Sequence, residues 1–189
     1  YRMVKKKACV FISGTGTNLK ALIHSSRFYN FPINIDLVVS NKKEAGGVRL
    51  AKLFSIKYNV INLNNRLYEI KLLNEIKKNK ISIICLAGYM KILSKNFINK
   101  FEGVIINIHP SLLPKYKGRN TFSRIIQNKE KVSGCTVHYV NENLDGGKII
   151  LKKKLNILKN EKVESLKTRT QLLEYRAFSE SIVKLYRSS

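Results

Sequence analysis

The chain has 189 residues, 44 % hydrophobic and 25 % charged, close to the globular averages of about 45–50 % and 25 %, which excludes wholesale disorder, collagen and coiled coil. Its longest uncharged apolar stretches, such as Ile81 to Met90, fall short of the ~20 residues a membrane-spanning helix needs, and Lys5-Lys6-Lys7 leads into too short an apolar run for a secretory signal. Lysine and arginine number 36 against 12 acidic residues, a formal charge of +24; this favours anionic partners, yet the lysines are spread along the chain rather than gathered into a nucleic-acid-binding stripe.

A continuous apolar run, Ala8 to Ile12, predicts a buried strand, and Tyr1 to Lys7 before it reads as a loose leader. Leu19, Leu22 and Ile23 at helical spacing predict a helix from Thr17. Further strands are predicted at Ile33 to Ser40, Lys57 to Leu63, Ile81 to Ala87 and Val104 to His109. Helices are predicted between them at Lys43 to Phe54, Arg66 to Lys78 and Leu93 to Phe101. Beyond Pro110 an irregular stretch reaches Arg119 and a short helix runs to Gln127. Cys135 to Val140 and Lys148 to Leu155 predict two more strands, joined by Asn141 to Gly147, and Glu161 to Tyr186 has a rough helical period. Such alternation predicts an α/β fold, a mostly parallel sheet covered on both faces, in one domain over residues 8–189. Cys9, Cys85 and Cys135 form no CxxC and lie in strand-like runs, so they read as buried free thiols of a reducing compartment.

Ligands in open α/β sheets bind beyond the carboxyl ends of the strands, so the segments that follow each strand carry the functional signal. Ser13-Gly14-Thr15-Gly16-Thr17-Asn18 joins the first strand to a helix. It is either a plain turn or an anion cradle made of forward-facing N–H groups and a helix start; Leu19 stands where a dinucleotide fingerprint needs its third glycine. Asn107 and His109 are two apart on a strand and share a face, and Pro110 ends that strand's ladder. Asn143-Leu144-Asp145-Gly146-Gly147 is either a hairpin turn or a carboxylate presented to an imidazole. Ala87 to Leu93 offers a glycine and apolar residues able to line a flat pocket.

These segments, in this order and spacing, resemble the glycinamide ribonucleotide formyltransferase family, folate-dependent enzymes of purine biosynthesis. The resemblance is carried by Ile12-Ser-Gly-Thr-Gly-Thr-Asn-Leu19, Leu86-Ala-Gly-Tyr-Met-Lys-Ile-Leu93, Asn107-Ile-His-Pro-Ser-Leu-Leu-Pro114 and Leu144-Asp-Gly-Gly147. It implies a Rossmann-like domain of about seven mostly parallel strands flanked by helices. It further implies a cytoplasmic enzyme, monomer or homodimer, that moves a formyl group from the cosubstrate 10-formyltetrahydrofolate to the amine of glycinamide ribonucleotide, with no metal, no membrane and no specific nucleic acid. Asn107, His109 and Asp145 are then the catalytic residues: Asn107 and a protonated His109 donate to the oxyanion, while Asp145 favours the imidazolium and orders a proton-carrying water. Gly16, Thr17 and Asn18 are implied to hold the ribonucleotide phosphate and Glu174 to lie near the glycinamide. Met90, Lys91, Ile92 and Leu93, with Asn107 and Arg66, are implied to form the folate pocket. Lys91 stands where the family often has Arg, and Asn120 and Phe122 where bacterial relatives often carry histidine.

Formyltetrahydrofolate deformylase and methionyl-tRNA formyltransferase share the Asn-His-Asp trio but normally carry an extra domain, and the Gly-Thr-Gly-Thr-Asn loop favours a small phosphorylated acceptor. A basic, nucleic-acid-binding α/β module is the reading from a different class; the intact trio speaks against it.

Overall fold

The structure is a computed structural model that describes residues 4–65 and 67–187. One seven-stranded sheet runs through it. Its strands are β1 (Lys6–Ile12), β2 (Ile33–Ser40), β3 (Lys57–Val60), β4 (Ile83–Leu86), β5 (Val104–His109), β6 (Val132–Tyr139) and β7 (Ile149–Asn156). Their order across the sheet is β3-β2-β1-β4-β5-β6-β7. The first five pair parallel, and β6 and β7 are added antiparallel. The helices are α1 (Thr17–Ser26), α2 (Gly46–Leu53), α3 (Tyr68–Lys78), α4 (Lys95–Lys100), α5 (Thr121–Gln127) and α6 (Val163–Arg187).

Side chains alternate across a strand, and the sheet therefore builds a core on each face. Ala8, Val10 and Ile12 of β1 pack with Leu19 and Leu22 of α1, Val48 of α2 and Phe178 of α6. Cys9 and Phe11 face the other way, toward Leu72 and Ile76 of α3 and Phe97 of α4. All three cysteines are buried free thiols. The chain order reverses at β1, whose neighbours are β2 and β4; the crevice beyond the carboxyl ends of β1 and β4 is the topological switch point where such sheets bind ligands.

Several predicted boundaries move. Of the residues read as a loose leader, Lys6 and Lys7 pair with Ile33 and Asn34 in the sheet, and Lys5 Nζ donates to the carbonyls of Ser26 (2.6 Å) and Phe28 (2.7 Å). Residues 1–3 lie outside the described residues, as does Arg66, the expected start of the third helix. Helix α2 starts at Gly46, not Lys43, because Ser40 Oγ exchanges hydrogen bonds with the backbone of Lys42 and holds a turn there. Helix α4 starts at Lys95, not Leu93, since Ser94 caps it by accepting from the Phe97 amide. Strand β6 extends back to Val132 through Gly134, where a Cβ would fall 2.0 Å from the Lys153 carbonyl oxygen. That glycine serves close strand approach and does not end the strand.

Candidate active site

The first loop is shaped for close approach. Gly16, the N-cap of α1, has φ 79°, and a Cβ there would lie 2.6 Å from Gly47 Cα; only glycine fits. Among the described residues no side chain caps α1, which leaves the N–H groups of its first turn, at Thr17 and Asn18, as donors for an anion. Ser13 fixes the loop to its neighbours: its Oγ donates to Asn41 Oδ1 (2.6 Å) and accepts from the Met90 amide (2.9 Å).

Asn18 also reaches across to the last helix. Its Nδ2 donates to Glu174 Oε2 at 2.8 Å. Glu174 is 6 % exposed, and burial pushes its carboxyl up to about 7, against the opposing pull of the Asn18 hydrogen bond. Among the described residues, Asn18 Oδ1 is buried with no hydrogen-bond partner. A buried acceptor of this kind calls for a donor, and a ligand N–H would satisfy it.

At the end of β5, Asn107 and His109 project together, as the strand period requires. Strand β6 runs antiparallel beside them and places His138 directly opposite Asn107. Asn107 Nδ2 lies 3.2 Å from His138 Nε2, and His138 Nδ1 lies 2.8 Å from the Tyr139 carbonyl oxygen. A carbonyl only accepts, so Nδ1 carries the proton and Nε2 accepts from Asn107. Burial, the largest influence, holds the His138 imidazole below its ordinary range, in keeping with this neutral form. The arrangement fixes which way the Asn107 amide points.

The loop between β6 and β7 brings Asp145 over the same spot. Asp145 Oδ2 lies 3.4 Å from His109 Nδ1 and Oδ1 lies 3.7 Å from His138 Nε2. Oδ2 also accepts from the Gly118 amide at 2.9 Å. His109 is 5 % exposed, and its Nε2 is 2.8 Å from the Tyr116 carbonyl oxygen. Both ring nitrogens thus face oxygen atoms.

Two cavities meet here. One, of about 570 Å³, runs from the Gly14–Asn18 loop past Asn120 and Phe122 to Glu174. The other, of about 210 Å³, is walled by Met90, Lys91, Ile92 and Leu93 and closed by residues 141–145. They share Met90, His109, Gly118 and Arg119. Met90 and Ile92 are 55 % and 75 % exposed, an apolar wall suited to a flat ring.

Every candidate from the sequence except Arg66, which lies outside the described residues, lines one of these cavities. The sequence reading missed His138, whose place opposite Asn107 follows from the antiparallel register alone. It also missed Arg119, Lys167 and Gln171; the last two share a face of α6 with Glu174 at helical spacing. Among the described residues, no group of three or more His, Cys, Asp or Glu side chains is placed to hold a metal ion, and no helix is long and apolar enough to cross a membrane.

A family model described as formyl transferase matches residues 6–182. The chain is similar to the phosphoribosylglycinamide formyltransferase of Haemophilus influenzae, 41 % identical over 177 residues, covering 92 % of this chain and 84 % of that protein. It is also 41 % identical over 184 residues to the trifunctional purine biosynthetic protein adenosine-3 of Chironomus tentans; that match covers 94 % of this chain but only 13 % of that relative's length. The crystal structure of phosphoribosylglycinamide formyltransferase from Brucella melitensis superposes with a TM-score of 0.92 at 37 % identity, covering 96 % of each chain.

Proposed function

The chain belongs to the formyl transferase family, and on that premise we propose that it transfers the formyl group of 10-formyltetrahydrofolate to the primary amine of glycinamide ribonucleotide. One observation carries the reading: His109 lines both cavities, with Asp145 beside it and Asn107 in the wall of the smaller one. The larger cavity has a helix N-terminus for a phosphate and the smaller an apolar wall for a pterin.

The ribonucleotide phosphate rests on the first turn of α1 at Gly16, Thr17 and Asn18. Its glycinamide end lies toward Glu174 and the vacant Asn18 Oδ1. The folate ring lies along Met90, Lys91, Ile92 and Leu93. The amine lone pair attacks the formyl carbon and the C=O electrons move onto oxygen. Asn107 Nδ2–H, already aimed by His138, donates to that oxyanion. In this reading His109 acts as the imidazolium and adds electrostatic stabilisation, its Nε2–H reaching the oxyanion once it exchanges the Tyr116 carbonyl for it. Each such donor is worth about 2.7–4 kcal/mol. Asp145 holds the second ring proton in place. The amine's surplus proton passes to folate N10, through a water at Asp145. The C–N10 bond then breaks, leaving formylated ribonucleotide and tetrahydrofolate.

The test is an acceptor comparison. Purified protein with 10-formyltetrahydrofolate is given glycinamide ribonucleotide, methionine-charged initiator tRNA, or buffer alone. Formyl transfer to the ribonucleotide amine is expected. Formate release in buffer, or transfer to the tRNA in preference, would replace this reading with one of the neighbouring activities.

A further inference from the structure

Among the described residues, Arg119 is the one Lys or Arg that lines both cavities. Among the described residues its guanidinium has no hydrogen-bond or ion-pair partner, and the residue is exposed. The loop that carries it, by contrast, is tightly held. Tyr116, Gly118 and Asn120 alternate through the left-handed region with φ of 58°, 78° and 55°. Ser111 Oγ donates to the Lys115 carbonyl (2.6 Å), His109 Nε2 to the Tyr116 carbonyl and Arg124 Nη1 to the Lys117 carbonyl (2.7 Å), while the Gly118 amide donates to Asp145. The Arg124 guanidinium also lies 5.4 Å from the centre of the Tyr116 ring. A fixed backbone therefore carries an uncommitted guanidinium on a residue that lines both cavities.

We infer that Arg119 is a specificity-determining residue that pairs with an anionic oxygen of a bound substrate. This rests on the function proposed above, in which both substrates are anionic. A guanidinium matches carboxylate and phosphate oxygens two at a time. The phosphate already has the first turn of α1 at the far end of the larger cavity, so the glutamate carboxylates of the folate are the expected partner. Ribonucleotide phosphate is the other source of the same chemistry.

Calorimetric binding to wild type, Arg119→Leu and Arg119→Lys separates the two. The probes are tetrahydrofolate, tetrahydropteroate (the same molecule without glutamate) and ribose 5-phosphate. Arg119 is exposed, so neither variant empties a packed space. Loss of a charge-assisted pair predicts that Arg119→Leu weakens tetrahydrofolate about tenfold or more and leaves tetrahydropteroate unchanged. Arg119→Lys should fall between, since it keeps charge and loses the fork. A loss confined to ribose 5-phosphate assigns the pairing to phosphate instead. Unchanged affinity for both tetrahydrofolate and ribose 5-phosphate in Arg119→Leu overturns the inference. A wild-type protein that binds neither probe overturns the proposed function on which it rests.

Discussion

Asp145 Oδ2 lies 3.4 Å from His109 Nδ1 and accepts the Gly118 amide through the same oxygen. One carboxylate oxygen thus ties the imidazole at the end of β5 to the loop that carries Arg119. The loop returns the link, because the Tyr116 carbonyl accepts from the other ring nitrogen. The ring, the carboxylate and residues 116–118 form a closed circuit, so a change at any member should be felt by the others.

His138 gives the first prediction. A proton on Nε2 would set a donor against the Asn107 N–H and turn the ring toward Asp145 Oδ1, 3.7 Å away. Burial depresses this imidazole, with His109 and Lys117 adding to the effect and the Tyr139 carbonyl and Asp145 opposing it. The unfolded chain therefore takes up this proton first as pH falls, and stability is lost in the window below the ordinary histidine value of about 6.5. Turnover at saturating substrates should fall in the same direction, on the acid side. His138→Gln should lower turnover about tenfold at pH 8 and flatten the acid decline. An acid limb identical to wild type would rule out His138 as its source.

Glu174 gives a prediction of opposite sign. Its carboxyl is raised to about 7 from 4.5, mainly by burial. Between those values the folded chain keeps a proton that the unfolded chain has released, so stability falls as pH rises through the window and levels off above 7. The full effect is about 3 kcal/mol. Glu174→Gln should therefore melt higher than wild type at pH 8, with the gap closing toward pH 5. A gap that does not change with pH would contradict the raised carboxyl. If Glu174 faces the glycinamide as proposed, the same variant should also weaken ribonucleotide binding.

The glycines of the first loop are not equivalent. A Cβ at Gly16 meets Gly47 Cα at 2.6 Å and the backbone is left-handed, whereas a Cβ at Gly14 meets nothing within 4 Å. Gly16→Ala should destabilise the protein by about 1–3 kcal/mol, and Gly14→Ala by much less. Chemical denaturation of the two variants checks this. Equal losses would mean that the contact with Gly47 relaxes at no cost.

Much of this was legible in the sequence because it is local. Strand and helix periods placed β1 to β5 and α1 to within a few residues. Gly16, Asn107 and His109 could be singled out because turn chemistry and strand alternation act over neighbouring positions. What could not be read depends on register between distant segments. His138 sits opposite Asn107 only because β6 runs antiparallel to β5. The Asn18–Glu174 bond spans 156 positions, and spacing within α6 gives no hint of it. The start of β6 at Val132 rather than Cys135 rests on the same kind of long-range contact, since Gly134 lets β6 and β7 close up. Arg119 escaped notice since its meaning comes from the two cavities and not from its neighbours in the chain.

The most direct test of the central claim, that the carboxylate of Asp145 acts on formyl transfer through His109, is the single-turnover rate of Asp145→Asn with both substrates saturating. The substitution keeps the shape and an oxygen for the Gly118 amide, and removes the charge beside His109 Nδ1. The account predicts a rate about 10²–10³ lower, with the dissociation constants of both substrates within a few-fold of wild type. An unchanged rate would contradict it.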